Sequence, residues 1–198
     1  MLILTLEVRP ATAGIWPELE ALFGPQGACY GCWCSHFRVA PKERQAMDRD
    51  ERKELLRAAT GEPLPPGLIA FEDGQPVGWV QVTPRSHVPR WNTNRTVSRP
   101  LDTDDPDDPG IWAISCFFVI SRRRGQGLSH ALVEAAVAHA AACGARIVEA
   151  CPIAHAKHPR SPGLFTGPAS VFEKAGFSVV AERKPGRPLM RKVLGTAA

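Results

Sequence analysis

The run Cys116-Phe117-Phe118-Val119-Ile120-Ser121-Arg122-Arg123-Arg124-Gly125-Gln126-Gly127-Leu128-Ser129 constrains the fold more than any other part of the chain. It reads as a buried strand that passes through a basic, glycine-rich turn into a helix. Such a turn suits phosphate. Gly125 and Gly127 let the backbone come close to a ligand, unpaired N–H groups point outward, and a helix N-terminus adds roughly half a positive charge. Arg122, Arg123 and Arg124 add mobile charge at the rim. No Lys-Ser or Lys-Thr closes a Walker-type loop, and no third glycine completes a dinucleotide fingerprint.

The elements around this run predict a mixed sheet. Apolar or β-rich stretches at Leu2 to Val8, Leu68 to Glu72, Val77 to Thr83, Ile111 to Ile120, Ala145 to Cys151, Phe177 to Glu182 and Leu189 to Leu194 read as about seven strands. Helices are expected over Ile15 to Phe23, Pro41 to Ala59, Gln126 to Cys143 and Pro168 to Ala175, about four in all. Glu72-Asp73-Gly74-Gln75 should close an antiparallel hairpin, because Asp-Gly tolerates the positive φ of tight turns. Strand, helix and strand from Ile111 to Cys151 form a β-α-β unit, which requires parallel neighbours. The fold class is α+β. Pro84 to Gly110 reads as one long loop.

A chain of 198 residues with 44% hydrophobic content fills one core, so a single domain over 1–198 is expected. The longest apolar run, Ile111 to Ile120, is half of the roughly 20 residues that span a bilayer, and Met1 to Leu6 lacks a basic leader. No membrane association and a cytoplasmic location are expected. The six cysteines then read as reduced thiols. A formal charge of +4 suits a nucleic acid or a polyanionic small molecule equally and selects neither.

Arg124-Gly125-Gln126-Gly127-Leu128-Ser129 resembles the acetyl-CoA pyrophosphate loop of the GNAT superfamily of N-acetyltransferases, with Ser129 departing at the last position. A register two residues earlier, Arg122 to Gly127, fits the letter of the pattern but starts the helix less naturally. The order of elements over almost the whole chain is also similar to that family. Ser170-Val171-Phe172-Glu173-Lys174-Ala175-Gly176-Phe177 is similar to its Tyr-Glu-Lys-x-Gly-Phe signature, with Phe172 in place of the tyrosine.

The resemblance implies a GNAT fold and acetyl transfer to a primary amine by direct attack. Acetyl-CoA would be bound at Phe118, Val119, Arg124, Gly125, Gln126, Gly127, Leu128 and Ser129, and no metal would be needed. An amine of pKa near 10 is neutral in about one molecule per thousand at pH 7, so a proton acceptor is required. Glu149 is the candidate for that role, its other reading being a solvated strand carboxylate. A backbone N–H near Phe118 or Val119 would face the oxyanion. Ser170 is the candidate proton relay to the leaving thiolate, since the only tyrosine, Tyr30, is remote in sequence.

A GNAT subgroup has a similar Cys-Trp-Cys segment after its first helix. This similarity nominates Trp33, His36 and Phe37 as acceptor contacts, with Trp112 on the motif strand beside them. The same segment, Cys29 to His36, also admits a zinc reading, though a distant second ligand pair is not evident. Cys151 with His155 and His158 is a weaker ligand set, for want of fixed spacing. The acidic run Asp102, Asp104, Asp105, Asp107 and Asp108 either draws a cationic amine or is a solvated loop. An aminoglycoside antibiotic is the leading acceptor, which would make the protein a resistance enzyme. A protein or peptide amine, and a non-catalytic acyl-CoA sensor, are the alternatives. The expected partner is a small-molecule amine and not a nucleic acid, with room for a homodimer.

Overall fold

Each apolar stretch becomes a strand. β1 is Leu6–Pro10, β2 Gly67–Glu72, β3 Gln75–Pro84, β4 Ile111–Val119, β5 Ile147–Ala150, β6 Ser178–Ala181 and β7 Leu189–Val193. The structure, a computed structural model, describes residues 6–154 and 164–195, so the predicted strand residues before Leu6 lie outside it. The strands form one sheet in the order β1-β2-β3-β4-β5-β7-β6. Only β4 and β5 run parallel; every other neighbouring pair is antiparallel. The β2–β3 hairpin turns at Asp73 and Gly74, whose φ values of 48° and 76° are those the Asp-Gly pair was expected to supply.

The helices are α1 Trp16–Phe23, α2 Pro41–Ala46, α3 Arg49–Thr60, α4 Pro89–Thr93, α5 Leu128–Ala142 and α6 Ala169–Lys174. Six among the described residues exceed the four expected, for two physical reasons. The predicted helix over Pro41 to Ala59 breaks at Met47, because Asp48 caps a new helix: its side chain accepts from the Glu51 amide while Glu51 bonds back to the Asp48 amide. The predicted loop from Pro84 to Gly110 holds α4, which starts at Pro89 and is anchored by fully buried Trp91.

Alternation along the strands divides the core between the two faces of the sheet. On one face Val80, Val82, Trp112, Ile114 and Val148 pack under Leu132 and Val133 of α5 and Phe172 of α6. α5 comes close because β3 has no side chain at Gly78, where a Cβ would lie 3.1 Å from Leu132. On the other face Ile69, Phe71 and Trp79 meet Trp16, Phe23 and Trp33. Further along that face, Ala113, Cys151 and Leu189 are covered by Phe37, Val88 and Trp91.

β4 carries the irregularity that matters for function. Gln81 of β3 pairs with Cys116 and Val82 with Ile114, so Ser115 bulges out of the ladder. β5 pairs with β4 only from Ile111 to Ile114. Among the described residues the rest of β4 therefore has no strand on that edge, and the 3-10 turn Leu164–Thr166 packs alongside it.

Candidate active site

The basic turn opens where β4 ends. Ser121–Arg123 form a single 3-10 turn, and α5 begins only at Leu128, with Gly127 as its left-handed cap at φ 82°. Gly125 is also left-handed, at φ 74°. Among the described residues, the main-chain amides of Gly125, Gln126, Gly127, Leu128 and Ser129 donate to no internal acceptor. A Cβ built on Gly125 or Gly127 meets no atom within 4 Å, so the space above these amides is open. Free amides, a helix N-terminus and a clear approach fit the diphosphate of a nucleotide-bearing cofactor. Arg123 is tied to Glu72 and to Gln126, whereas no ion pair among the described residues holds Arg122.

The free edge of β4 supplies polar groups beside this turn. Ile120 donates its amide to Val77 of β3. Because successive amides point to opposite edges, that of Phe118 also turns toward β3, while those of Phe117 and Val119 face the opening. The Val119 carbonyl on that side accepts from Arg124 Nε at 3.0 Å. Tyr30 lies nearer than its sequence position suggests. Its neighbour Cys29 is close enough to feel the Arg124 charge, and Tyr30 is itself fully exposed, at φ 53°.

Glu149 sits on β5 between Ala113 of β4 and Arg191 of β7, and it is fully buried rather than solvated. Both oxygens are engaged: Oε1 accepts from Arg191 Nε at 2.8 Å, and Oε2 accepts from Trp91 Nε1 at 3.0 Å with Arg85 at 3.5 Å. This arrangement suits an internal counter-ion better than a base turned toward an acceptor. Asp104 completes the network through Arg191 and Arg85. Burial pushes the Asp104 carboxyl up, but the Arg191 hydrogen bond, the Leu101 amide and both guanidinium charges outweigh it and hold it below its ordinary value. Asp108 is bound by Arg146 at 2.7 Å and by the Gly110 amide at 2.8 Å. The acidic run is therefore partly consumed inside the fold.

The remaining candidates divide between core and surface. Ser170 is exposed on α6, while Phe172 is fully buried, with its ring centroid 5.8 Å from Phe117 and 5.2 Å from Phe177. Trp112 lies under α5, donating to the Pro109 carbonyl at 3.1 Å and packing on His139, away from the face that holds Phe37. Trp33 is a core residue, 2% exposed, stacked on Trp16 and packed against the tilted ring of Phe23. His36 and Phe37, by contrast, touch Phe165 of the turn beside β4, with ring centroids 5.1 and 6.5 Å away.

Among the described residues no group of three or more His, Cys, Asp or Glu side chains is arranged to hold a metal ion; His155 and His158 lie outside them. The distant partner of the cysteine segment is Cys116, whose sulfur is 3.3 Å from that of Cys34. Burial holds the Cys34 thiol well above its ordinary pKa, and it pushes that of Cys151 up to about 12. Both remain protonated at neutral pH.

No curated protein sequence matches the chain. Solved structures do. PaiA N-acetyltransferase from Thermoplasma acidophilum, in complex with coenzyme A, is 12% identical with a TM-score of 0.54, covering 96% of this chain and 99% of its own. YncA from Salmonella typhimurium, with its cofactor acetyl-CoA, is 16% identical with a TM-score of 0.56, over 98% and 96%. A ribosomal-protein-alanine N-acetyltransferase from Brucella melitensis is 18% identical with a TM-score of 0.54, over 95% and 99%. At these identities the likeness establishes the fold. The sequence profile of the acetyltransferase (GNAT) family matches residues 31–165, about two thirds of the chain, from the cysteine segment through the basic turn to the edge of β4. With an open amide cradle and a half-free motif strand inside the matched region, the chain belongs to the GNAT family and is an acetyltransferase that uses acetyl-CoA.

Proposed function

We propose that the chain acetylates the primary amine of a small molecule by direct transfer. The observation that carries this reading is the row of free amides from Gly125 to Ser129 opening beside the unpaired edge of β4. Acetyl-CoA supplies the activated acetyl thioester. The turn amides and Arg124 hold the donor, and the Val119 amide faces the opening with the geometry to bond an oxygen that gains negative charge. Glu149 acts as a positioning residue that fixes β5 to β7 and to the segment after β3. Ser170, exposed at the start of α6, remains the proton relay of this scheme, and its neighbour Phe172 closes the core beneath it.

A polycation such as an aminoglycoside is one acceptor of this class, but three of the carboxylates that would attract it, Asp102, Asp104 and Asp108, are already paired. The scheme makes 1–198 one catalytic domain that works in the cytoplasm. No helix among the described residues is long and apolar enough to cross a membrane. Release of free CoA thiol from acetyl-CoA should depend on an added amine and be saturable in it. Calorimetric binding of acetyl-CoA without thiol release from any amine in a panel of amino acids, polyamines, aminoglycosides and peptides would instead mark a sensor. Turnover confined to the peptides would mark a protein acetyltransferase.

A further inference from the structure

Arg90 holds His36, Arg187 holds the C-terminal end of β5, and the charges of Arg44, Arg90 and Arg187 all act on the His36 ring. Arg90 Nη1 lies 2.7 and 3.1 Å from the two ring nitrogens of His36 and donates to its carbonyl at 3.1 Å. Arg187 is fixed by the strand end itself, donating Nε to the Pro152 carbonyl at 3.2 Å and Nη2 to the Cys151 carbonyl at 3.0 Å. The charge of Arg44 acts on both His36 and Arg90, and among the described residues its buried Nε has no hydrogen-bond partner. Among the described residues no carboxylate comes within 4.0 Å of any of the three, whereas Arg123 and Arg146 each have one and Arg85 and Arg191 each have two.

Like charges brought together without a counter-ion cost free energy unless an anion joins them. Burial first, then the charges of Arg90, Arg44 and Arg187, bring His36 down to about 4, so the imidazole stays neutral and adds no further charge. Phe165 flanks His36 and belongs to the turn beside the free edge of β4. The cationic cluster therefore borders the opening from which an acceptor must reach the acetyl group.

We infer that Arg44, Arg90 and Arg187 form the subsite for the carboxylate of the acceptor, and that the acceptor is an amino acid or a similar amine-bearing acid. This rests on the acetyl-transfer reading above and assigns its substrate class. Three guanidinium groups repel a polycation and bind a carboxylate through charge-assisted hydrogen bonds. They also disfavour the ammonium form of an amine held nearby, which supplies neutral nucleophile while both Glu149 oxygens are engaged by Arg191, Trp91 and Arg85. The bookkeeping is simple: an N–C bond forms to the acetyl carbon, the C–S bond breaks, and its electron pair leaves with sulfur. Of the two protons that the ammonium loses, one ends on the CoA thiol and one in water.

The test is a thiol-release assay on the purified protein with the twenty amino acids, their carboxamides, spermidine and kanamycin, alongside calorimetry with CoA. At least one acid should be preferred over its carboxamide by about 10- to 100-fold in kcat/KM. Arg90→Gln should raise the KM for that acid by about 10-fold and shrink the acid–amide preference, with CoA affinity unchanged. Turnover of spermidine or kanamycin without turnover of any acid, equal rates for acid and amide, or a fall in CoA affinity in Arg90→Gln would each overturn the inference. Should that variant fail to fold, the acid–amide comparison in the unaltered protein still decides. If CoA binds but no amino acid is acetylated, or gives heat with the CoA-loaded protein, the inference fails alone. If CoA itself does not bind, the donor reading fails and takes the inference with it.

Discussion

Replacing Gly127 by valine is expected to weaken CoA binding by about 100-fold or more while the protein stays folded. Two effects combine. The residue sits at φ 82°, where a β-branched side chain is strained by about 1–3 kcal/mol. Its new methyl groups meet nothing inside the protein, since a Cβ there has open space within 4 Å. They project instead into the approach to the free amides. Gly144→Val is the matched control: its φ of 88° brings the same backbone penalty, again in open space, beyond the far end of α5, about 25 Å away. Calorimetry with CoA and far-ultraviolet circular dichroism on both variants separate the effects. Equal CoA affinity in the two would remove the amide cradle from the donor site.

Replacing Arg191 by methionine is expected to cost about 3–5 kcal/mol of stability at pH 7, or roughly 6–20 °C in Tm. Arg191 bonds both Asp104 and Glu149; without it Arg85 is, among the described residues, the one cation left to pair with the two carboxylates. The pH dependence has a definite sign. Asp104 is held below its ordinary pKa, so its contribution is fully present above about pH 4 and is lost as pH falls through its folded value. The variant loses most of that contribution. The stability gap from the unaltered protein should therefore be widest at neutral pH and narrow below about pH 4. Urea melts at pH 7 and at pH 3.5 measure it, and a gap that does not change with pH would contradict the network.

What could be read from the sequence, and what could not, follows from the range of the interactions. Strand stretches such as Val77 to Thr83 and the Asp73-Gly74 turn are set by local alternation and φ preference, and they appear as expected. The break at Met47 was also local: Asp48 followed three residues later by Glu51 is a capping-box pattern, and the helical periodicity on either side masked it. Glu149 was different. Its partners Arg85, Trp91 and Arg191 are brought together by a strand order that places β7 beside β5, which spacing along the chain does not encode.

The same holds elsewhere in the site. Ser115 bulges where the β3–β4 ladder shifts register between Gln81 and Val82, on the strand whose Val119 amide faces the opening. The segment of Trp33 points to a substrate contact, yet its packing on Trp16 and Phe23 belongs to the tertiary core. Arg44, Arg90 and Arg187 come from three separate segments, and no motif pointed to them. Arg187, two residues before β7, converges with the other two because it bonds the end of β5. Tyr30 is remote from the basic turn in sequence, yet its neighbour Cys29 lies within the field of Arg124.

The central claim is that the main-chain amides from Gly125 to Ser129 grip the diphosphate of coenzyme A. Calorimetric titration of the unaltered, folded protein with acetyl-CoA and with CoA tests it most directly. Saturable one-to-one binding, abolished or greatly weakened by Gly127→Val, is the predicted result. Absence of heat from either ligand at millimolar concentration would contradict the account.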